Sequence, residues 1–226
     1  MLIDLVHEVQ DQLWVDKVNE THRKGLLCEW VSTFHPDKLP CGLVGTFHYG
    51  AFNAGVKMVF SDDNTTWMVR FPRAGMVCDD YANEKVAMEV SALGLIRDRT
   101  TIPVPTVQAW GPATSNPLGL GPFIIMDFIN GVNLSDLLQD PNAERPSRVM
   151  REDISDCDIE FIYRQLANFL LQIFKLDFDQ IGSLPLPQAG PQAEVYNPTL
   201  PRPLTFKAHC ILQNGGVNTF GMFSPH

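Results

Sequence analysis

In the stretch Trp67-Met68-Val69-Arg70-Phe71-Pro72, a guanidinium at position 70 interrupts an otherwise apolar run. Period-two alternation puts Arg70 on the opposite face from Trp67 and Val69. A long cation so placed can reach across a sheet to phosphate oxygens, provided a carboxylate from a neighbouring element holds it. Glu84 and Glu89 both lie in the stretch that follows. The alternative is an edge-strand arginine whose head snorkels to water. Upstream, Gly50 and Gly55 flank Ala51-Phe52-Asn53-Ala54 in a bend where backbone can approach an anion without side-chain obstruction, though an ordinary hairpin has the same spacing. A nucleoside triphosphate further needs a flat apolar slot and carboxylates for magnesium. The run Gly121 to Phe128, "GPFIIMDF", offers apolar material for the slot. His209 beside Cys210 is too little for a metal site or a nucleophilic pair.

The elements that must position these residues follow from periodicity. Leu2, Leu5, Val9 and Leu13 suggest an amphipathic first helix. Alternating apolar runs predict strands over 43–49, 54–60 and 65–71, the last two joined by Ser-Asp-Asp-Asn at 61–64. Val86, Val90, Leu93 and Ile96 or Arg97 trace a helical stripe through 83–99. The prolines of "TIPVPTV" fix extended backbone before a short strand at 107–110, and 121–128 reads as a strand buried on both faces. Asn133 can cap a short helix, with Asp136 at its third position. A polar, proline-punctuated loop spans 139–156. Ile159, Ile162, Leu166, Phe169, Leu170 and Ile173 then mark an amphipathic helix of about 20 residues. The fold class is α+β, a five-stranded antiparallel sheet with one inserted helix, followed by further helices. Four segments result: a helical cap at 1–42, a sheet lobe at 43–130, helices at 131–184, and an irregular Pro/Gly-rich tail at 185–226.

Composition narrows the function. With 226 residues, 45% of them hydrophobic, the chain can build a core. A formal net charge of −9 argues against nucleic acid or an anionic membrane surface as partner, because both select basic patches. Five scattered cysteines form no C-x-x-C pair, so they read as reduced and structural. The opening residues lack a basic leader, and no apolar run approaches the ~20 residues needed to span a bilayer. A cytoplasmic location is the expectation.

The order of strand, glycine bend, strand, turn, strand with a cation, helix with a glutamate, two strands and a linker resembles the amino-terminal lobe (N-lobe) of the protein-kinase-like fold. Within that fold, "GAFNAGVKMVFSDDNTTWMVRFPR", "EVSALGLIRDRTTIPVPTVQAWG", "GPFIIMDFINGVNLSDLL" and "LANFLLQIFKLDFDQIGSL" resemble the aminoglycoside phosphotransferase family, in the group that includes choline-kinase-like small-molecule kinases and many fungal members. The resemblance covers roughly positions 43 to 184. It implies ATP as ligand, with magnesium in intact members, and a small-molecule phosphate acceptor. Gly50, Ala51, Phe52 and Asn53 would form the phosphate-covering loop, Arg70 would meet the α- and β-phosphates, and Glu89 would hold it. Met126, Asp127 and Phe128 would form the hinge against adenine, Asp127 through its backbone carbonyl. Ile124 and Val69 would line the slot, though each also suits plain core. The family's catalytic loop, a His-Gly-Asp-like motif with asparagine five residues after its aspartate, and the later metal-binding aspartate are not in this sequence; the last aspartate is Asp179. The chain is therefore expected to be truncated before the catalytic loop, to hold the N-lobe and the first helices of a helical C-lobe, and to lack catalysis of its own. A C-lobe helix without its neighbours would leave an apolar face available for self-association.

Overall fold

The computed structural model describes residues 2–61, 65–77, 79–140, 150–178 and 183–184. The expected turn residues 62–64, half of the polar loop (141–149), Asp179, His209 and the tail lie outside them. Two helices, α1 (Leu2–Arg23) and α2 (Leu26–Ser32), precede strands β1 (Cys41–Tyr49), β2 (Asn53–Phe60) and β3 (Thr66–Pro72). Helix α3 (Asp79–Arg99) leads to β4 (Val107–Gly111), a 3-10 turn (Ala113–Ser115) and β5 (Phe123–Asp127). Helices α4 (Leu134–Leu138) and α5 (Asp156–Phe174) complete the described elements.

The sheet is antiparallel throughout, in the order β1-β2-β3-β5-β4. All five expected strands are present, and the one helix between β3 and β4 begins at Asp79, four residues before the expected start at 83. Alternation divides the sheet into two apolar faces. One carries Val56, Met58, Phe60, Trp67, Val69, Phe71, Phe123 and Ile125, packed with Trp14, Val18, Leu27, Trp30 and Val31 of α1 and α2. Aromatic edges lock this layer: Trp30 lies 4.7 Å from Phe123 and 5.2 Å from Phe34, centroid to centroid, in T-shaped geometry. The other face carries Ile124 and Met126 beneath Val86, Ala87 and Val90 of α3, with Trp110 and Met68 alongside.

The cap helix forms, but it turns a different side inward than its first turns suggest. Leu5, Val9 and Leu13 are 55%, 51% and 64% exposed, whereas Trp14, Val18 and Thr21 are buried. The helix continues to Arg23, and its C-terminal half sets the rotation: Trp14 brings the largest ring and donates from Nε1 to Leu120 O at 3.0 Å. Gly75 fixes the approach of α1 to the loop after β3. Its φ of +75° is a conformation glycine adopts without strain, and a Cβ there would collide with the carbonyl of His7.

Asn133 does precede α4, but its side chain makes no capping bond to the backbone. Its Nδ2 donates instead to Asp136 Oδ2 at 3.0 Å. Helix α5 is capped by Ser155, whose Oγ accepts from Asp158 N at 3.1 Å and donates to Asp158 Oδ2 at 2.7 Å.

Candidate functional site

Register brings Gly55 of β2 opposite Arg70 of β3. A Cβ at position 55 would lie 2.8 Å from Met68 Sδ and 3.3 Å from Arg70 Cγ, so the bare glycine makes room for the arginine stem. The guanidinium then reaches α3, where Nη1 donates to Glu89 Oε1 at 2.5 Å. Both side chains are about a quarter exposed, at 27% each. The other carboxylate oxygen, Glu89 Oε2, lies 3.8 Å from Lys85 Nζ, one helical turn earlier. Lys85 Nζ also donates to Asn53 Oδ1 at 2.8 Å, which ties α3 to the end of the bend between β1 and β2. Burial pushes the Lys85 ammonium below the usual lysine range, with Glu89 opposing and Arg70 adding to the depression. Two cations thus converge on one carboxylate, Glu89, in the half-buried strip between Asn53 and α3, where an added anion would meet both.

The bend is a closed turn. Gly50 N donates to Asn53 O at 2.8 Å, with Ala51 and Phe52 at the exposed tip. Arg73 anchors it from below, donating from Nη1 to Gly50 O at 2.7 Å and from its backbone N to Phe52 O at 3.0 Å. The same guanidinium holds Asp11 of α1 with two bonds, Nε to Oδ1 at 2.9 Å and Nη2 to Oδ2 at 2.5 Å. The bend is therefore gripped from α3 through Asn53 and from α1 through Arg73.

Met126 lies on the same face, and Asp127 and Phe128 follow it at the end of β5. Met126 is buried beside α3. The amides of Asp127 and Phe128 are committed, to Thr106 O at 2.9 Å and Thr66 O at 3.0 Å. Gln108 Nε2 donates to Asp127 Oδ1 at 2.7 Å, and Lys57 Nζ sits 4.4 Å from the Phe128 ring centroid. Ile124 lies on the α3 face, directly across from Arg70 in register. Val69 does not: it is fully buried against the cap helices on the other side of the sheet, so it is core and not slot. A single step in a period-two strand separates the two environments.

Glu89, the carboxylate that the resemblance implies, meets Arg70. Lys85 and the Arg73–Asp11 pair were not singled out from sequence. The i, i+4 spacing of Lys85 and Glu89 was a legible signal, but no local pattern links Asp11 to Arg73. A His-x-Asp tripeptide does occur, His35-Pro36-Asp37, but Gly42 and not asparagine stands five residues after Asp37. His35 is buried on the cap side against Phe60 and Trp67, at 4.7 and 5.7 Å between ring centroids, and its Nδ1 accepts from Asp37 N at 3.2 Å. Among the described residues, no three His, Cys, Asp or Glu side chains cluster as metal ligands, and no helix is long and apolar enough to cross a membrane.

No protein-family model and no solved structure matches the chain. It is similar to "Altered inheritance of mitochondria protein 9, mitochondrial" of Meyerozyma guilliermondii, with 26% identity over 141 residues, 62% of this chain and 21% of that protein. The chain thus spans about a fifth of the length of that relative.

Proposed function

We propose that this chain carries the nucleotide-binding lobe of a protein-kinase-like small-molecule phosphotransferase, of the aminoglycoside phosphotransferase and choline-kinase-like group, with ATP as its ligand. The observation that carries this reading is the 2.5 Å pair between a strand arginine and a helix glutamate, Arg70 and Glu89, on the α3 side of a five-stranded antiparallel sheet. In this reading Arg70 meets the α- and β-phosphates, Glu89 orients it, and the turn from Gly50 to Asn53 lies over them. The segment Met126 to Phe128 runs along the base. Because the amides of Asp127 and Phe128 are taken, polar contact to adenine there falls to carbonyl oxygens such as that of Asp127. In this reading the segment binds nucleotide; the His-x-Asp loop with its asparagine and the later metal-binding aspartate that phosphoryl transfer uses are not among residues 1–226. Calorimetric titration with ATP tests the proposal: binding lost in Arg70→Ala supports it, and binding unchanged in that variant overturns it.

A second reading is a non-catalytic binding or regulatory module of kinase-like shape; α5, which buries none of its residues, offers it an apolar face, and self-association through that face is the other alternative. Phe161, Leu166, Leu170, Ile173 and Phe174 are all at least 46% exposed. For compartment, the cytoplasmic expectation stands beside a relative whose name places it in mitochondria. Fractionation of the tagged protein decides between them.

A further inference from the structure

The nucleotide reading assigns one cation to the phosphates, yet the geometry holds two. Arg70 occupies one oxygen of Glu89 at 2.5 Å, a charge-assisted bond. Lys85 is left with the second oxygen at 3.8 Å, beyond hydrogen-bond range, and with one neutral acceptor, Asn53 Oδ1, at 2.8 Å. An ammonium has three donors and no acceptor, so beside Asn53 and Glu89 this one keeps donor capacity for a ligand at a largely buried position, its side chain 17% exposed. Its one good partner belongs to the turn expected to lie over the phosphates.

We infer that Lys85 is a second oligophosphate-binding cation, kept in place by Asn53: an arriving phosphate chain takes the ammonium from Asn53 Oδ1 and thereby releases the 50–53 turn from α3. The inference rests on the nucleotide reading only for the location of the site; the ligand chemistry it requires is an oligophosphate. No other group is needed to complete the exchange, because phosphate oxygens replace one amide oxygen as acceptors while Glu89 stays on Arg70. The turn remains anchored at its other side through Arg73, Gly50 O and Asp11. Ligand entry therefore frees one edge of the turn and leaves the other fixed.

The test is calorimetric titration of the whole chain with sodium tripolyphosphate and, separately, with ATP, using the wild type, Lys85→Met, Lys85→Arg, Asn53→Ala and Arg70→Ala. Circular dichroism melts check that each variant folds. Lys85→Met is expected to weaken tripolyphosphate binding by roughly tenfold or more, the loss of a charge-assisted contact, and Lys85→Arg to restore most of it. Asn53→Ala is expected to bind at least as tightly as the wild type, because the competing acceptor is gone. Unchanged tripolyphosphate affinity in Lys85→Met overturns the inference, and so does an Asn53→Ala variant that binds as weakly as Lys85→Met, which would make the contact a structural strut. If tripolyphosphate binds through Lys85 and ATP gains nothing over it, the inference stands and the adenine-nucleotide reading falls. If ATP binding depends on Arg70 and is indifferent to Lys85, the reverse holds. A wild type that binds neither ligand removes both.

Discussion

Gly55 and Arg70 face each other across β2 and β3, and the missing glycine Cβ is the space through which the arginine stem passes toward α3. A residue with no chemistry of its own therefore sets where the charge goes. Gly55→Val should push Met68 and Arg70 aside, lengthen the Arg70–Glu89 contact and lower the melting temperature more than Gly55→Ala does. Thermal melts of both variants check this; equal melting temperatures would show that the side chains yield freely.

The bidentate Arg73–Asp11 pair joins α1 to the turn, and both side chains are only 16% exposed. Breaking it leaves a largely buried guanidinium with Gly50 O as its remaining acceptor. Asp11→Ala should cost about 1–3 kcal/mol, more than an exposed surface pair is worth. Urea unfolding of Asp11→Ala, Arg73→Ala and the double variant measures the coupling directly.

Lys85 makes stability pH-dependent with a definite sign. Its folded-state pKa is depressed, chiefly by burial, below the ordinary value of 10.5. Between those two values the unfolded chain binds the extra proton, so this contribution to stability rises with pH across that interval. Burial raises the Cys41 thiol and the Tyr49 phenol, which acts in the opposite sense at the alkaline end. The difference between wild type and Lys85→Met isolates the lysine: the stability gap in urea should shift in favour of the wild type as pH climbs toward 10.5. A pH-independent gap would contradict the depressed pKa.

The cap helices hold the far face of the sheet, and Trp30 is central to that layer, against Phe34, Phe71 and Phe123. Trp30→Ala should destabilise the fold by about 3–5 kcal/mol through lost burial and the cavity left behind. Equilibrium unfolding gives the number.

Exposed apolar side chains on α5 predict concentration-dependent association. Sedimentation should show larger species for the wild type and monomer for Leu166→Glu/Leu170→Glu. A wild type that stays monomeric at high concentration would remove the self-association reading.

Much of the sheet was legible because its strands have one residue in two facing an apolar layer. Val56, Met58 and Phe60 announce their face by alternation alone, and Trp67, Val69 and Phe71 do the same on the next strand. The same alternation put Arg70 on the other side. Rotation of α1 was not legible, since Leu5, Val9 and Leu13 form as good a stripe as Trp14 and Val18 until a partner surface chooses between them. Slot and plain core stayed open for Val69 for a related reason: hydrophobicity says that a residue is buried, not which of two buried layers receives it, and the structure places it in the cap-side core.

By itself the sequence determined local conformation: which runs extend, which coil, and that a cation and a carboxylate lie on successive elements. Those properties depend on neighbours two to four residues apart, which a linear chain displays. Tertiary structure alone decided that Lys85 reaches Asn53 and that Arg73 ties Asp11 to the turn, and it supplied the contact between Arg70 and Glu89 that the resemblance had implied. Each of those contacts joins residues 19 to 62 positions apart, and only the packing of helix against sheet brings such groups within bonding distance.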